Sequence, residues 1–265
     1  MNLEKIFNYK VLEYILNKVA ALGLLVFIMC TYLLLATGFD LYEFTEYLLN
    51  TEFWLYMCGY ALLTTVLIDL VRYKWKKLTN NRGILLHCLA GFIVFFPFMG
   101  INPFSLIAGF VGALCAFIYA IGSYFFKKKK RFVWMALFVF PLLLGMRLID
   151  FTVKTNWNEE ITKSSYSAEF EYFNGKHEIP LSLEKGDKVT SYISFTQTNG
   201  GGYGYRILDQ NKDYVGMKEI EETYEDYGAV DTKAFQFNAK KAGVYKLIVT
   251  GDDLKGKIDV KWEIE

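Results

Sequence analysis

The hydrophilic last third of this sequence contains no cysteine, and the four cysteines of the chain all lie in apolar stretches, at Cys30, Cys58, Cys88 and Cys115. A disulfide-stabilised fold is therefore excluded for residues 152–265, whose core must come from ordinary packing. Neither a CxxC nor an HxxxH spacing accompanies the thiols, so we predict that the chain holds no metal ion and no cofactor.

Side chains that work together in catalysis are also scarce. The chain has two histidines, His87 and His177, and it lacks the HExxH, GxxxxGK[ST] and GxSxG motifs as well as a dinucleotide-binding fingerprint. We interpret His177 as a surface residue of a strand, because no thiol or second imidazole lies near it in the sequence. The sequence therefore predicts a protein that is not an enzyme.

Basic residues are absent from two short polar segments, 38–52 and 100–103, whereas three, five and five Lys or Arg lie in segments 1–18, 72–82 and 127–131. Five apolar runs between or beside these segments approach the roughly 20 residues needed to cross a bilayer. We place these runs at 19–37, 53–71, 83–99, 104–126 and 132–149. Because basic segments stay on the cytoplasmic side, the N-terminus is predicted inside and everything after residue 151 outside.

We therefore predict a polytopic α-helical membrane domain with five transmembrane helices over residues 1–151. The cluster Lys127–Arg131 fixes its orientation, because adjacent positive charges are least costly at the anionic cytoplasmic surface. Residues 1–18 place apolar side chains at helical spacing, which predicts an amphipathic helix on that surface. A cleavable signal peptide is the alternative, and the acidic Glu4 and Glu13 argue against it.

The segment 38–52 places four apolar residues at helical spacing, namely Leu41, Phe44, Tyr47 and Leu48. This pattern predicts a helix that lies along the outer membrane surface. An alternative use of the segment is a cation site formed by its carboxylates, Asp40, Glu43 and Glu46.

Few ionisable residues fall inside the apolar runs, and each is a candidate for function because charge is costly in a bilayer. Asp69 and His87 have similar predicted depths and are candidates for a proton-responsive or ion-binding pair. The alternative is an aspartate neutralised by Arg72 and Lys76, together with a histidine bonded to a backbone or hydroxyl group.

Three further features concern helix ends and helix packing. Pro141 predicts a kink in the fifth span. Arg147 and Asp150 are spaced for a helix-surface ion pair, although Arg147 also has the reach to extend to lipid headgroups. Small residues at four-residue intervals predict close helix packing, within the chain or against a partner, at Gly112, Ala116 and Ala120.

The pattern changes after residue 151. We interpret the polar stretch 152–165 as a linker, whereas from Tyr166 onward apolar and polar residues alternate in short runs, as they do in 258–264. Turn signals separate the runs, at 174–175, 185–187, 199–202, 242–243 and 251–253. These features predict an all-β antiparallel sandwich, jelly-roll-like, over residues 166–265.

The segments LSLEKGDKV, FNAKKAGVYKLIVTG and KIDVKWEI resemble small extracytoplasmic sandwiches, namely the GOLD (Golgi-dynamics) domain and the bacterial pre-peptidase C-terminal domain. In that pattern a strand runs into a turn at Ala242-Gly243, and Tyr245 opens the next strand. The resemblance covers residues 166–265 and none of the membrane region. It implies a non-catalytic binding or assembly module, and it transfers no site residues.

Two features of the predicted sandwich are candidates for ligand contact. Tyr203 and Tyr205 flank a glycine-rich turn, and exposed tyrosines provide rigid contact surface, although the alternative is that one of them packs inward. Carboxylates in predicted turns offer oxygen ligands for calcium as a further alternative, at Asp209, Asp213, Asp252 and Asp253.

The sequence thus predicts a non-catalytic membrane protein whose extracytoplasmic sandwich binds a protein, peptide or envelope ligand, as an accessory or sensor subunit of a membrane complex. The alternative is a small transporter or channel subunit with the sandwich as a cap. The predicted partners are the lipid bilayer and a membrane or extracytoplasmic protein, and nucleic acid is not expected because topology accounts for the basic charge. The tail has no Asn-x-Ser/Thr sequon, which is typical of a bacterial plasma-membrane protein.

Overall fold

The computed structural model describes residues 3–75, 79–220 and 232–265, with 3–9 described by their backbone only. The chain divides into two compact units, Met1–Asp150 and Phe151–Glu265. The first unit is helical and the second is an antiparallel β unit. The predicted order of the two structural classes is therefore confirmed.

The helical unit begins with α1 (Leu3–Ala36) and α2 (Leu41–Leu49). Helix α3, a π-helical turn and α4 follow one another without a gap, at Thr51–Trp54, Leu55–Tyr60 and Ala61–Lys74. The remaining elements are α5 (Asn80–Ile93), α6 (Phe96–Met99), α7 (Pro103–Lys128), a 3-10 turn (Lys130–Phe132), α8 (Val133–Leu137) and α9 (Val139–Met146).

Four helical stretches of the described residues are long and apolar enough to cross a membrane: Lys10–Ala36, Thr51–Lys74, Asn80–Met99 and Pro103–Lys128. They correspond to the first four predicted spans. The fifth apolar run is interrupted between α8 and α9, as expected because Pro141 has no N–H to donate to the carbonyl of Leu137. Each of its two helices is shorter than a bilayer crossing, so the fifth span stays a prediction.

Helix α1 continues without a break from residue 3 to residue 36. The helix predicted for residues 1–18 is therefore continuous with the first span from residue 3 onward, and its position on the membrane surface stays a prediction. Neither proline nor glycine interrupts the sequence before Gly23, so nothing in the chain ends the helix earlier. The middle of α1 is central to the unit, with Ala20, Ala21 and Val26 fully buried.

The predicted stripe of small residues on α7 packs against α5 within the same chain. Gly112 and Ala116 lie against Gly91, so closely that a Cβ atom added to Gly91 would collide with the Gly112 carbonyl. Ala120 continues the stripe and is buried. Of the two uses that the sequence left open, packing within the chain is the one observed.

The segment 38–52 forms α2, as predicted. The Asp40 side chain accepts a hydrogen bond from the backbone N–H of Glu43 (3.0 Å), so it caps the helix. Phe44 and Leu48 are fully buried against the helical core, and the indole N–H of Trp54 donates to the carbonyl of Leu48 (2.7 Å). Two of the four apolar residues therefore face the protein rather than a membrane surface.

The β unit has eight strands in the described residues, all paired antiparallel. They are β1 (Val153–Thr155), β2 (Asn158–Ile161), β3 (Ser165–Leu183), β4 (Lys188–Gln197), β5 (Gly202–Leu208), β6 (Lys218–Ile220), β7 (Thr232–Asn238) and β8 (Gly243–Ile264). The order along the sheet is β1-β3-β8-β4-β7-β6, while β2 pairs with β3 and β5 pairs with β8.

Two long strands, β3 and β8, build both layers of a sandwich. Their ladder shifts register between Phe170 and Gly175, and on each strand the buried positions change parity across the shift. Both halves of each strand therefore face one shared core, which includes Phe173, Ile193 and Leu247. The half of β8 before the shift pairs with β5 and the half after it pairs with β4.

Two sequence predictions for this unit need correction. The stretch 152–165 is not a linker, because β1 and β2 within it pair with β3. The turn signals at 174–175 and 251–253 do not end strands but mark the bends of β3 and β8. The glycine at 175 suits such a bend because it has φ +132, a backbone conformation that other residues rarely adopt.

Candidate functional site

An ion pair lies among the helices of the first unit. The ammonium nitrogen of Lys18 on α1 is 2.6 Å from Oδ2 of Asp69 on α4, and the two side chains are only 12% and 25% exposed. The hydroxyl of Tyr14 donates a second hydrogen bond to the same oxygen (2.8 Å). Because charges this poorly hydrated need partners, the pair determines how α1 and α4 meet.

A directed chain of hydrogen bonds leads from this pair to His87 on α5. The ring Nδ1 lies 2.8 Å from the carbonyl of Gly83, which can only accept, so Nδ1 carries the proton. In the neutral ring Nε2 is then an acceptor, and the Thr65 hydroxyl donates to it (3.2 Å). Thr65 in turn accepts from the ammonium group of Lys18 (3.1 Å).

The structure therefore brings the predicted pair Asp69 and His87 into one network, although Lys18 and Thr65 stand between them. The structural alternative predicted that Arg72 and Lys76 neutralise Asp69. The ion pair of Asp69 in the described residues is with Lys18, and Lys76 lies outside those residues. His87 bonds to a backbone carbonyl and a hydroxyl, as the structural alternative predicted. Sequence reasoning missed Lys18 because its position suggested a surface helix.

Two cavities flank this network. The first, which we call the basic cavity, has a volume of about 850 Å³, and its basic lining residues are Lys10, Lys18, Arg72, Lys127 and Lys128. The second, the apolar cavity, has a volume of about 320 Å³ and lies among α1, α4, α5 and α7. His87 lines both cavities.

The basic cavity draws residues from all three segments that were predicted to be cytoplasmic, 1–18, 72–82 and 127–131. These segments therefore lie at one end of the helical unit, as an alternating arrangement of the first four helices requires.

The remaining candidates of the helical unit, Arg147 and Asp150, lie exposed after the end of α9 at Met146. The expected helix-surface ion pair is therefore not supported, because the helix ends before the turn that would join the two side chains.

In the β unit a cluster of polar and aromatic side chains surrounds His177. Trp157 stacks on Phe170 with ring centroids 5.0 Å apart, and His177 stacks on Tyr166 at the same distance. Glu159 accepts hydrogen bonds from the indole N–H of Trp157 (2.6 Å) and the hydroxyl of Tyr166 (2.8 Å). The cluster holds β1 and β2 on the sandwich.

His177 lies on strand β3, as predicted, but it is not an open surface residue, since its side chain is only 17% exposed. The ammonium group of Lys154 donates to its Nδ1 (2.6 Å), which leaves the proton of the neutral ring on Nε2, facing Glu159. Burial, followed by the charge of Lys154, lowers the pKa of His177 to about 4. The hydrogen bond from Trp157 is the main cause that lowers the pKa of Glu159.

A polar cleft lies beside the bend of β3 and β8. It has a volume of about 460 Å³ and is lined by Thr155, Glu169, Phe170, Glu171, Tyr172, Thr198, Lys255 and Gly256. The hydroxyl of Tyr172 donates to Asp253 (2.5 Å), and Asn199 binds the carbonyl of Asp253 (2.6 Å) and the N–H of Lys255 (3.0 Å). These bonds order the walls of the cleft. The residues that line the cleft are distant from one another in the sequence.

The predicted ligand contacts are arranged differently. Tyr203 stacks on Phe195 (4.2 Å) and Tyr205 on Phe235 (5.0 Å), so both tyrosines pack against the core rather than forming a contact surface.

The predicted calcium ligands are also separated. Leu208 pairs with Lys246 and Gly202 with Asp252, so Asp209 and Asp252 lie at opposite ends of the β5–β8 ladder. At about 3.3 Å per residue they are roughly 20 Å apart. Asp209 instead accepts the backbone N–H groups of Asn211 (2.8 Å) and Asp213 (3.0 Å) and orders a turn.

No protein-family model matches the chain, and neither does any of the curated proteins compared with it. Among solved structures, the chain is similar to a carbohydrate-binding module (CBM6cm-2) of lichenase 5A from Cellvibrio mixtus, determined in complex with cellotriose. The identity is 13% and the TM-score 0.26, and the match covers 42% of this chain and 88% of the module.

We predict that Asp69→Asn destabilises the helical unit by about 1–3 kcal/mol, because Lys18 then loses its carboxylate in a poorly hydrated position. The control is Glu13→Gln, which removes the partner of the exposed Lys130 (59% exposed) and should cost less than about 0.5 kcal/mol. The thermal stability of each purified variant in detergent is measured as the temperature at which its monodisperse peak is lost. Equal effects of the two changes would contradict a structural role for the Lys18–Asp69 pair.

We predict that the β unit loses stability as the pH falls from 6.5 to about 4. In this range unfolded chains bind a proton at His177 while the folded unit does not, so stability rises with pH. The loss from this residue is on the order of 2 kcal/mol.

Urea unfolding of residues 151–265, followed by Trp fluorescence at pH 7 and pH 4.5, measures this loss. The variant His177→Gln should show a smaller difference between the two pH values. An unchanged difference would assign the pH dependence to the carboxylates instead.

Proposed function

We propose that this chain is a non-catalytic, membrane-anchored binding protein, with the helical unit in the membrane and the β unit as the binding module. The observation that carries the proposal is the contrast between the two units. Large apolar side chains are exposed along the membrane-length helices, for example Phe104 (74%), Phe110 (69%) and Leu63 (61%). The β unit instead buries its apolar side chains in a core of its own.

The exposed apolar surface of the helical unit fits lipid, because contiguous apolar surface of this extent is unfavourable in water. The bacterial plasma membrane is the proposed location. The segment 132–149 decides the side on which the β unit lies, because it alone connects the unit to the cytoplasmic cluster Lys127–Arg131. If the segment crosses the membrane, the β unit is outside; if it does not, the β unit is cytoplasmic. We propose that it crosses, with its kink inside the bilayer, so that the N-terminus is cytoplasmic and the β unit outside.

Within the β unit, we propose the polar cleft at Tyr172 as the binding surface for a protein, peptide or envelope ligand. The cleft offers carboxylates at Glu169 and Glu171, an ammonium group at Lys255, and the half-buried ring of Tyr172. Such a mixture of charged groups with one ordered aromatic ring suits recognition by hydrogen bonds and ring contact.

A transporter or channel subunit remains the second candidate. The observation that favours it is the pair of cavities that meet at His87 among the four long helices, since sites of transported molecules commonly lie between helices inside the membrane.

The orientation can be tested by labelling single cysteines in a background in which the native cysteines are replaced by alanine. We expect Lys185→Cys in the β unit to react with a membrane-impermeant maleimide in intact cells, and Lys129→Cys to react only after the cells are opened. If both residues react only in opened cells, residues 132–149 do not cross and the β unit is cytoplasmic.

Binding through the cleft can be tested with two matched double variants of the full chain. We expect Tyr172→Ala with Lys255→Ala to reduce the recovery of co-purifying envelope components at least about tenfold, as loss of central contact residues does. The control replaces the same two residue types outside the cleft, at Tyr214 and Lys218, and should leave recovery unchanged. Equal recovery with both variants, measured by quantitative mass spectrometry after crosslinking in native membranes, would refute the cleft as the binding surface.

A further inference from the structure

The basic cavity carries more positive than negative charge. Its lining contains five basic side chains and two carboxylates, Glu13 and Asp69. Both carboxylates are already engaged, Glu13 with Lys130 (2.5 Å) and Asp69 with Lys18 (2.6 Å). The cavity therefore has an excess of cationic groups that fits an anion.

Four basic side chains of this cavity make no ion pair within the part of the chain that the structure describes. They are Lys10, Arg72, Lys127 and Lys128. The guanidinium group of Arg72 donates to the side-chain carbonyl of Asn80 (2.7 Å) and lies against the backbone of Gly83. The ammonium group of Lys128 lies 4.6 Å from the ring centroid of Tyr124. These contacts hold charged groups in place without neutralising them.

The apolar cavity has different chemistry, because its lining is largely apolar and three of its polar side chains already have partners. The Tyr60 hydroxyl donates to the carbonyl of Ala90 (2.9 Å), and the Tyr119 hydroxyl donates to that of Lys18 (3.4 Å). Both ring nitrogens of His87 are bonded to Gly83 and Thr65. An occupant of this cavity therefore meets mainly ring faces and apolar side chains such as Met29, Met57 and Cys115.

We propose that the helical unit binds a single-chain anionic lipid, with its headgroup in the basic cavity and its alkyl chain in the apolar cavity. The two cavities are adjacent, since His87 lines both and Tyr119 and Ala120, which are neighbours on α7, line one each, so one molecule with a charged end and an apolar end matches them together. The volume and the largely apolar lining of the apolar cavity are those of a small-molecule site. This binding activity goes beyond anchoring and does not depend on which side of the membrane the β unit occupies.

The test uses the full chain in phosphatidylcholine nanodiscs that contain a small fraction of monohexadecyl phosphate with a diazirine at the end of its chain. After irradiation, mass spectrometry identifies the labelled residues. We expect labelling at Met29, Met57 or Cys115 in the apolar cavity. We expect unlabelled hexadecyl phosphate to compete, whereas hexadecanol, which lacks the charge, and inorganic phosphate, which lacks the chain, should not.

Two double variants with the same change in net charge provide the control. Lys127→Gln with Lys128→Gln removes charges that line the basic cavity, and Lys129→Gln with Arg131→Gln removes charges of the same basic cluster that do not line it. The first should weaken labelling at least about fivefold, because one basic side chain beside an anionic headgroup contributes roughly 1 kcal/mol. The second should leave labelling unchanged.

Three results would overturn the proposal. The first is labelling confined to exposed residues such as Leu67 (53%) and Phe110 (69%), which would show contact with bulk lipid only. The second is equal competition by hexadecanol or by inorganic phosphate, which would show that only one end of the molecule is recognised. The third is an equal response of the two double variants.

Discussion

The ion pair between Lys18 and Asp69 is the constraint on which the helical unit depends. Two opposite charges with little access to water must stay together, so α1 and α4 are fixed at one position relative to each other along their axes. The donors that remain on the ammonium group need acceptors, and Thr65 supplies one. Thr65 then fixes the ring of His87 and, through it, the first turns of α5. The two cavities are the spaces left on either side of this satisfied network.

Much of the helical unit could be predicted from apolar runs and basic segments, because both depend on residues that are neighbours in the sequence. Asp69 and His87 were recognisable as unusual in their surroundings. Lys18 was not, because its partner Asp69 comes from another helix and the pattern of residues 1–18 also fits a surface helix. The break in the fifth run was signalled by Pro141, whereas no local pattern shows whether two short helices together cross a bilayer.

The β unit shows the same limit. Alternation of apolar and polar residues predicted strands and the antiparallel arrangement, but the bends in β3 and β8 looked like turns because glycine suits both. The stretch 152–165 looked like a linker because its contacts, such as Trp157 on Phe170 and Lys154 at His177, join positions far apart. The cleft at Tyr172 is formed by those bends, so no local sequence pattern predicts it. Tyr203 and Tyr205 were predicted to contact a ligand, whereas their rings stack on core residues.

The central position of α1 has a consequence for biosynthesis. This helix leaves the ribosome before its partners, because Thr65 follows Lys18 by 47 residues and Tyr119 follows it by 101. At the usual speed of translation the helix waits roughly 5–20 s for the last of these partners. During that time its small residues, including Gly23, which later lies against the backbone of Ala136, are uncovered. A nascent chain of this kind depends on lipid, an insertase or a chaperone to shield α1 until the later helices arrive.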